Sequence, residues 1–349
     1  MPGHPVRRAA AIAAALTAGL LAPAAAAAQA PAFRDRVLKG PVARSAELRG
    51  ATPEADYRAP DGQIVKVRIS NSVANGPAVA QQIVDFLGSR VHGLELSRLR
   101  VFIGTPVEIQ GICGGDERVL ACYAATERRM YIPDRDPPGT SGSGFTRDYA
   151  VTHEYGHHVA NYRSNFPWPA LDWGAKYWSS YEFVCAGVQQ GRYFPGDQGD
   201  HYLDDPGESF ADAYAHMHYP DVPWQFNPAL RPDAGAFAAL RRDVLTPWRG
   251  NRQRTFRGTL GSGITTRATN LVLTLDGRMD LRLAGPPRSN YDLSLYQGSR
   301  LVTHTRVRGS RDRLVLNWCR DGSSTSALSV RVIRRSGAGN FALTLLYPG

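Results

Sequence analysis

Two histidines one helical turn apart, with an acid directly after the first, form the chemically densest stretch of the chain: His153-Glu154-Tyr155-Gly156-His157-His158. On a helix, positions four apart share a face. His153 and His157 can then point their imidazoles at one metal ion. Glu154 borders the same face, within reach of a water polarised by that ion without being a ligand itself. The chemistry such a set supports is hydrolysis. The metal lowers the pKa of water to about 7, and the carboxylate takes its proton.

A helix is the expected carrier. No proline interrupts Thr152 to Tyr162, and Tyr149, Val151, Tyr155, Val159 and Tyr162 supply packing groups. Gly156 costs helix stability, up to about 1 kcal/mol against alanine, and signals close packing against another element. His158 lies about 100° around the helix from His157 and is expected to be structural.

Two histidines leave a catalytic zinc one protein ligand short. Ala160 and Arg163 stand where the commonest extended pattern has Gly and His. The stretch Asp205-Pro206-Gly207-Glu208-Ser209-Phe210-Ala211-Asp212 offers the missing ligand on a second helix, opened by Pro206 and Gly207. Glu208 and Asp212 are four apart and face the same way. Glu208 can bind the metal, while Asp212 can accept the distal N–H of a ligand histidine, His153 foremost, and fix its tautomer. His201 is the rival third ligand.

His153-Glu154-x-x-His157 with a later Glu208-x-x-x-Asp212 resembles the gluzincin group of zinc metallopeptidases, the thermolysin-like architecture. The resemblance implies an α+β zincin-like catalytic domain, with Zn2+ held by His153, His157 and Glu208. It further implies Glu154 as the base and Asp212 behind the ligands. The stretch between His157 and Glu208 is longer than in thermolysin, and Gly207 replaces the Asn that thermolysin-like enzymes carry before the Glu. Such enzymes use a Tyr or His to stabilise the oxyanion; His218 and Tyr219, past the second helix and before Pro220, are the candidates. Arg128 to Ile132 is the candidate edge strand for an extended peptide, with an ordinary core strand as the equal alternative.

The elements that must position these groups read in order. Arg7 and Arg8 precede an uncharged, alanine-rich run, and small residues follow to Ala30. Residues 1–30 have the layout of a signal peptide, with Ala30 or Ala28 at the cleavage site. Residues 31–60 carry no periodicity and read as a linker or short pro-segment. Residues 61–249 hold a strand from Gln63, a helix from Pro77 to Val91, a strand from Leu99 to Ile103 and strand-like residues between Arg118 and Ile132. The two metal-bearing helices follow, and then a closing helix, Gly235 to Leu245.

From about Gly250 the pattern becomes short alternating segments between Gly, Asn, Asp and Ser turns. Seven or so strands at that spacing predict an all-β, jelly-roll-like sandwich over 250–349. Met279-Asp-Leu-Arg-Leu, Tyr291-Asp-Leu-Ser-Leu-Tyr and Gly339-Asn-Phe-Ala-Leu-Thr-Leu resemble the bacterial pre-peptidase C-terminal domain. That resemblance implies a role in secretion, targeting or adhesion.

Four cysteines in an exported chain predict disulfides. Cys113 and Cys122 flank a Gly-Gly-Asp turn signal and suit a hairpin staple, which leaves Cys185 for Cys319. The formal charge of +10 is almost all arginine, since lysine occurs only at Lys39, Lys66 and Lys176. No basic cluster with interleaved aromatics points to nucleic acid. The expectation is a secreted bacterial zinc endopeptidase, monomeric, acting on protein or peptide. It has no nucleic-acid partner and no stable membrane insertion after the leader is removed. The alternatives are a catalytically silent zinc or adhesion protein, and a zinc hydrolase of cell-wall peptide.

Overall fold

Apolar alternation at Ile64, Val65, Val67 and Ile69 places these side chains on a buried sheet face. The computed structural model of the chain describes residues 33–40, 42, 50–114, 118–138, 140, 144–322 and 327–349. The predicted leader lies outside them. Six strands form the N-terminal sheet: β1 (Val37–Leu38), β2 (Ala55–Arg58), β3 (Ile64–Ile69), β4 (Arg100–Gly104), β5 (Cys122–Ala124) and β6 (Arg129–Pro133). Their order is β1-β5-β6-β4-β3-β2. The neighbours β3, β4 and β6 run parallel, β5 runs antiparallel to β6, and β1 runs parallel to β5.

This order decides between two equal expectations. The strand at Arg128 to Ile132 is not an edge, because β6 pairs with β4 on one side and β5 on the other. The antiparallel β5 is the outer strand of the central group, and residues of the N-terminal segment cover its far side.

Helix α1 (Gly76–Gly88) packs Ala80, Ile83, Val84 and Leu87 into the main core. Helix α2 (Pro106–Cys113) starts in a reciprocal cap between Thr105 and Glu108 and ends at the Cys113–Cys122 disulfide, which ties it to β5. Helix α3 (Arg147–Asn161) carries the histidines. Thr146 caps it by accepting from Tyr149 N at 3.2 Å. It is buried from Tyr149 to Ala160, as suits a helix enclosed between a sheet and other helices. Three short helices follow, Ala170–Trp173, Lys176–Tyr181 and Val184–Gln189. Helix α4 (Pro206–His216) then crosses α3, and α5 (Ala234–Leu245) closes the region.

Gly156 sits where α3 meets α4. A Cβ there would lie 2.7 Å from Ala211 Cα and 3.0 Å from Ala211 O. These are backbone atoms, so a side chain would have to push the two helices apart. Gly156→Ala is therefore expected to lower stability by about 1–3 kcal/mol, read as a fall in the denaturation midpoint at constant slope. An unchanged midpoint would mean that the two helices separate without cost.

Eight strands make up the C-terminal region: β7 (Arg252–Leu260), β8 (Thr266–Val272), β9 (Gly277–Ala284), β10 (Asn290–Gln297), β11 (Arg300–His304), β12 (Arg311–Trp318), β13 (Ala327–Ser336) and β14 (Gly339–Tyr347). They form two four-stranded sheets, β11-β10-β13-β8 and β12-β9-β14-β7. Alternate residues such as Leu281, Leu283, Leu293, Leu295, Val330, Val332, Leu343 and Leu345 fill the space between the sheets. Sequence reasoning missed β11, a short strand rich in polar residues.

This region is fastened to the helical part by the Cys185–Cys319 disulfide. The buried Lys176 adds two hydrogen bonds, donating to Phe166 O and Asp276 O at 2.9 Å each. Both disulfides match the expected pairing. Among the described residues no helix is long and apolar enough to cross a membrane.

Candidate metal centre

Helix α4 begins at the site for a local reason. The Asp205 carboxylate caps it, accepting from Gly207 N at 2.8 Å and Gly196 N at 3.0 Å, and Pro206 occupies the first turn. Gly207 is required there, since a Cβ would lie 2.4 Å from Leu171 O. These constraints present Glu208 on the first turn of α4, facing α3.

The structure brings His153, His157 and Glu208 together. His153 Nε2 is 3.4 Å and His157 Nε2 is 3.3 Å from Glu208 Oε2. A fourth member comes from the N-terminal segment. Asp35 Oδ2 is 2.9 Å from His157 Nε2 and 3.6 Å from His153 Nε2. The four ligand atoms all lie within 4.8 Å of one another, and all four residues are buried.

A divalent metal fits this set. Ligand atoms about 2.0–2.1 Å from a tetrahedral ion stand ~3.3 Å apart, and the observed separations bracket that value. His153 Nε2 and Glu208 Oε2 are buried and have no hydrogen-bond partner among the described residues. Buried polar atoms left in that state ordinarily have an ion or water to bind.

The charges agree with the geometry. Burial would raise the Asp35 carboxyl, but the charges of His153 and His157 beside it outweigh burial and hold it well below its ordinary value. Burial would lower His157, yet Glu208 and Asp35 push it up to about 10. Two carboxylates against two imidazoles form a cage whose protons a cation can replace.

Behind the ligands, Asp212 Oδ1 is 3.4 Å from His153 Nδ1 and accepts from Tyr149 OH at 2.5 Å. That contact leaves Nε2 of His153 facing the centre. Gln198 Nε2 donates to Glu208 Oε1 at 2.5 Å, which orients the carboxylate. Tyr202, missed by sequence reasoning, donates its hydroxyl to Asp35 Oδ1 at 2.8 Å. Burial first, then the charges of Asp35 and Glu208, push the Tyr202 phenol well up, so it remains a donor.

Glu154 follows His153 on α3. It is fully buried, and neither carboxylate oxygen has a hydrogen-bond partner among the described residues. Burial, then the negative charge of Asp35, raise its carboxyl well above the ordinary value, against the pull of the two histidines. A buried acid without a partner beside the four-residue cluster is a candidate for proton transfer.

The remaining candidates have other neighbours. His201 is exposed and stacked on Phe194, with ring centroids 3.7 Å apart. It is not a member of the cluster. His218 packs on Tyr214, and Tyr219 packs edge-on against Tyr149; neither belongs to the group of four. Burial lowers His218 to about 4, so it stays neutral. His158 braces α3 to β5. Its Nε2 donates to Glu95 O and its Nδ1 accepts from Tyr123 OH, both at 2.9 Å.

Asp35 reaches the site from far along the chain, 122 residues from His157 and 167 from Tyr202, its hydrogen-bond partners there, whereas Tyr202 lies shortly before Glu208 in the sequence. The only sequence signal at Asp35 was an acid flanked by arginines.

No protein-family model matches the chain, and no curated protein matches it. Among solved structures it is similar to the pre-peptidase C-terminal domain of a collagenase from Bacillus anthracis. The identity is 13% over 27% of this chain and 88% of that one, with a TM-score of 0.23.

Proposed function

We propose that the chain is a secreted bacterial zinc-dependent endopeptidase of gluzincin type. Its metal would be held by His153, His157 and Glu208. The observation that carries this reading is the convergence of those three ligands beside Glu154, a buried acid with no partner of its own. A zinc ion bound there would polarise the scissile carbonyl and lower the pKa of water to about 7.

The chain's own residues supply the rest. Glu154 accepts the proton of the attacking water and passes it to the leaving amine. Tyr202 donates its hydroxyl to the oxygen on which negative charge grows. Asp212 holds the His153 ring, and Gln198 holds the Glu208 carboxylate.

The test is metal content by mass spectrometry on the wild type, Glu208→Ala and His201→Ala. One zinc per chain is expected in the wild type and in His201→Ala. Glu208→Ala, made in the Asp35→Ala background so that only the two imidazoles remain, is expected to lose it, because too few ligands are left to hold the ion. Zinc absent from the wild type, or retained without Glu208 in that background, would end the proposal.

Asp35 favours a second reading. Four protein ligands make a closed centre of the structural kind, which suits a catalytically silent zinc protein. In that case no hydrolysis would depend on Glu154, whatever the state of Asp35.

A further inference from the structure

We infer that Phe33–Leu38 is a built-in occupant of a peptide-binding edge, and that Asp35 plugs the metal centre and keeps the intact chain latent. The inference rests on the metallopeptidase reading and adds to it the regulation of the site and the form of ligand it accepts.

The backbone contacts come first. Leu120 N donates to Arg34 O at 3.2 Å, Tyr123 N to Arg36 O at 3.1 Å and Ala125 N to Leu38 O at 3.0 Å. The segment is thus an added strand on the outer side of β5, the manner in which sheet edges take up extended peptides. Among the described residues nothing else pairs with that side of β5.

The side chains follow the same logic. Phe33 is fully buried beside His153, with ring centroids 5.1 Å apart, and against Phe145 and Tyr149. Two residues on, the Asp35 carboxylate meets the centre. One of its oxygens faces His153 and His157, and the other accepts from Tyr202. A substrate carbonyl needs the same two kinds of partner, a cation and a hydrogen-bond donor.

The segment resists cleavage in place. The peptide carbonyls of Arg34 and Arg36 are taken up by Leu120 N and Tyr123 N, and the Asp35 group seated among the histidines is its side-chain carboxylate, which has no bond to cleave. Gln198 closes the arrangement: its Oε1 accepts from Val37 N at 3.1 Å while its Nε2 holds Glu208. The segment leaves the site at Lys39 and Gly40, which are exposed. The ligand that takes its place is an extended peptide with an aromatic side chain two residues from the group facing the metal.

The test compares full-length wild type, Asp35→Ala, Asp35→Asn and Phe33→Ala. The readouts are zinc per chain and the Kd for a short phenylalanine-containing peptide hydroxamate, a metal-binding group on an extended backbone. Asp35→Ala is expected to keep its zinc and bind the hydroxamate at least about tenfold more tightly, since the competent fraction is no longer reduced by the plug. Asp35→Asn, which preserves the shape, and Phe33→Ala, which loosens the anchor, are expected to shift the same way by less.

Loss of zinc in Asp35→Ala, with zinc present in the wild type, would make Asp35 a permanent ligand. That would overturn the plug while leaving the metal centre standing. Zinc retained with unchanged hydroxamate affinity in all three variants would also overturn it. A wild type without zinc would remove the plug and the metallopeptidase reading together.

Discussion

Glu154→Gln is expected to lower casein hydrolysis about 10²- to 10⁴-fold, the range for loss of a general base, while zinc content stays at one per chain. The comparison belongs in the Asp35→Ala background, where the plug cannot mask the effect. Glutamine preserves the volume and the planar end of the side chain but cannot take up a proton at neutral pH. Since neither Glu154 oxygen is hydrogen-bonded among the described residues, the substitution breaks no structural contact. It also removes a buried acid whose ionisation burial disfavours. The thermal midpoint is therefore expected to hold or rise. Unfolding could not then account for lost activity. Hydrolysis at the parental rate would show that this carboxylate moves no proton in the reaction, and the mechanism would fall.

Tyr202→Phe, in the same background, is expected to reduce kcat about 10²- to 10³-fold, with KM and zinc content little changed. Only the hydroxyl is removed. The ring keeps its packing on Phe226 at 5.5 Å, and the Arg34 guanidinium remains 4.9 Å above it. A donor that acts on charge developing in the transition state alters kcat and not ground-state binding. A variant with raised KM and unchanged kcat would place Tyr202 in substrate binding, and equal kinetics would assign it to holding Asp35 alone.

Local periodicity made the two helices that carry His153, His157 and Glu208 readable. A spacing of four residues places His153 over His157 on one helix face, and Asp205-Pro206 announces a helix start just before Glu208. The close approach at Gly156 was also foreseeable, since a glycine beside a packed ligand costs helix stability without visible benefit. Asp35 was not foreseeable. It lies in a segment with no apolar period, and its place depends on a parallel pairing with β5 whose strands are far apart in sequence. The same limit hid the interior position of β6. A strand's own residues show that it is buried, but not which strands flank it. Tyr202 was one of many aromatics between these two helices, and nothing local separated it from those that only pack.

The Cys185–Cys319 bond joins the sandwich to one particular part of the helical region. Cys185 lies in the run of short helices between α3 and α4, and that run is the chain's own connection from His157 to Glu208. Mechanically, the bond is a lever arm. A pull on the C-terminal strands, were they held to a surface, would travel through Cys319 into the connection between His157 and Glu208 of the candidate centre. The load would bypass every non-covalent contact of the interface. A reducing environment would disconnect that path without removing a single ligand from the centre.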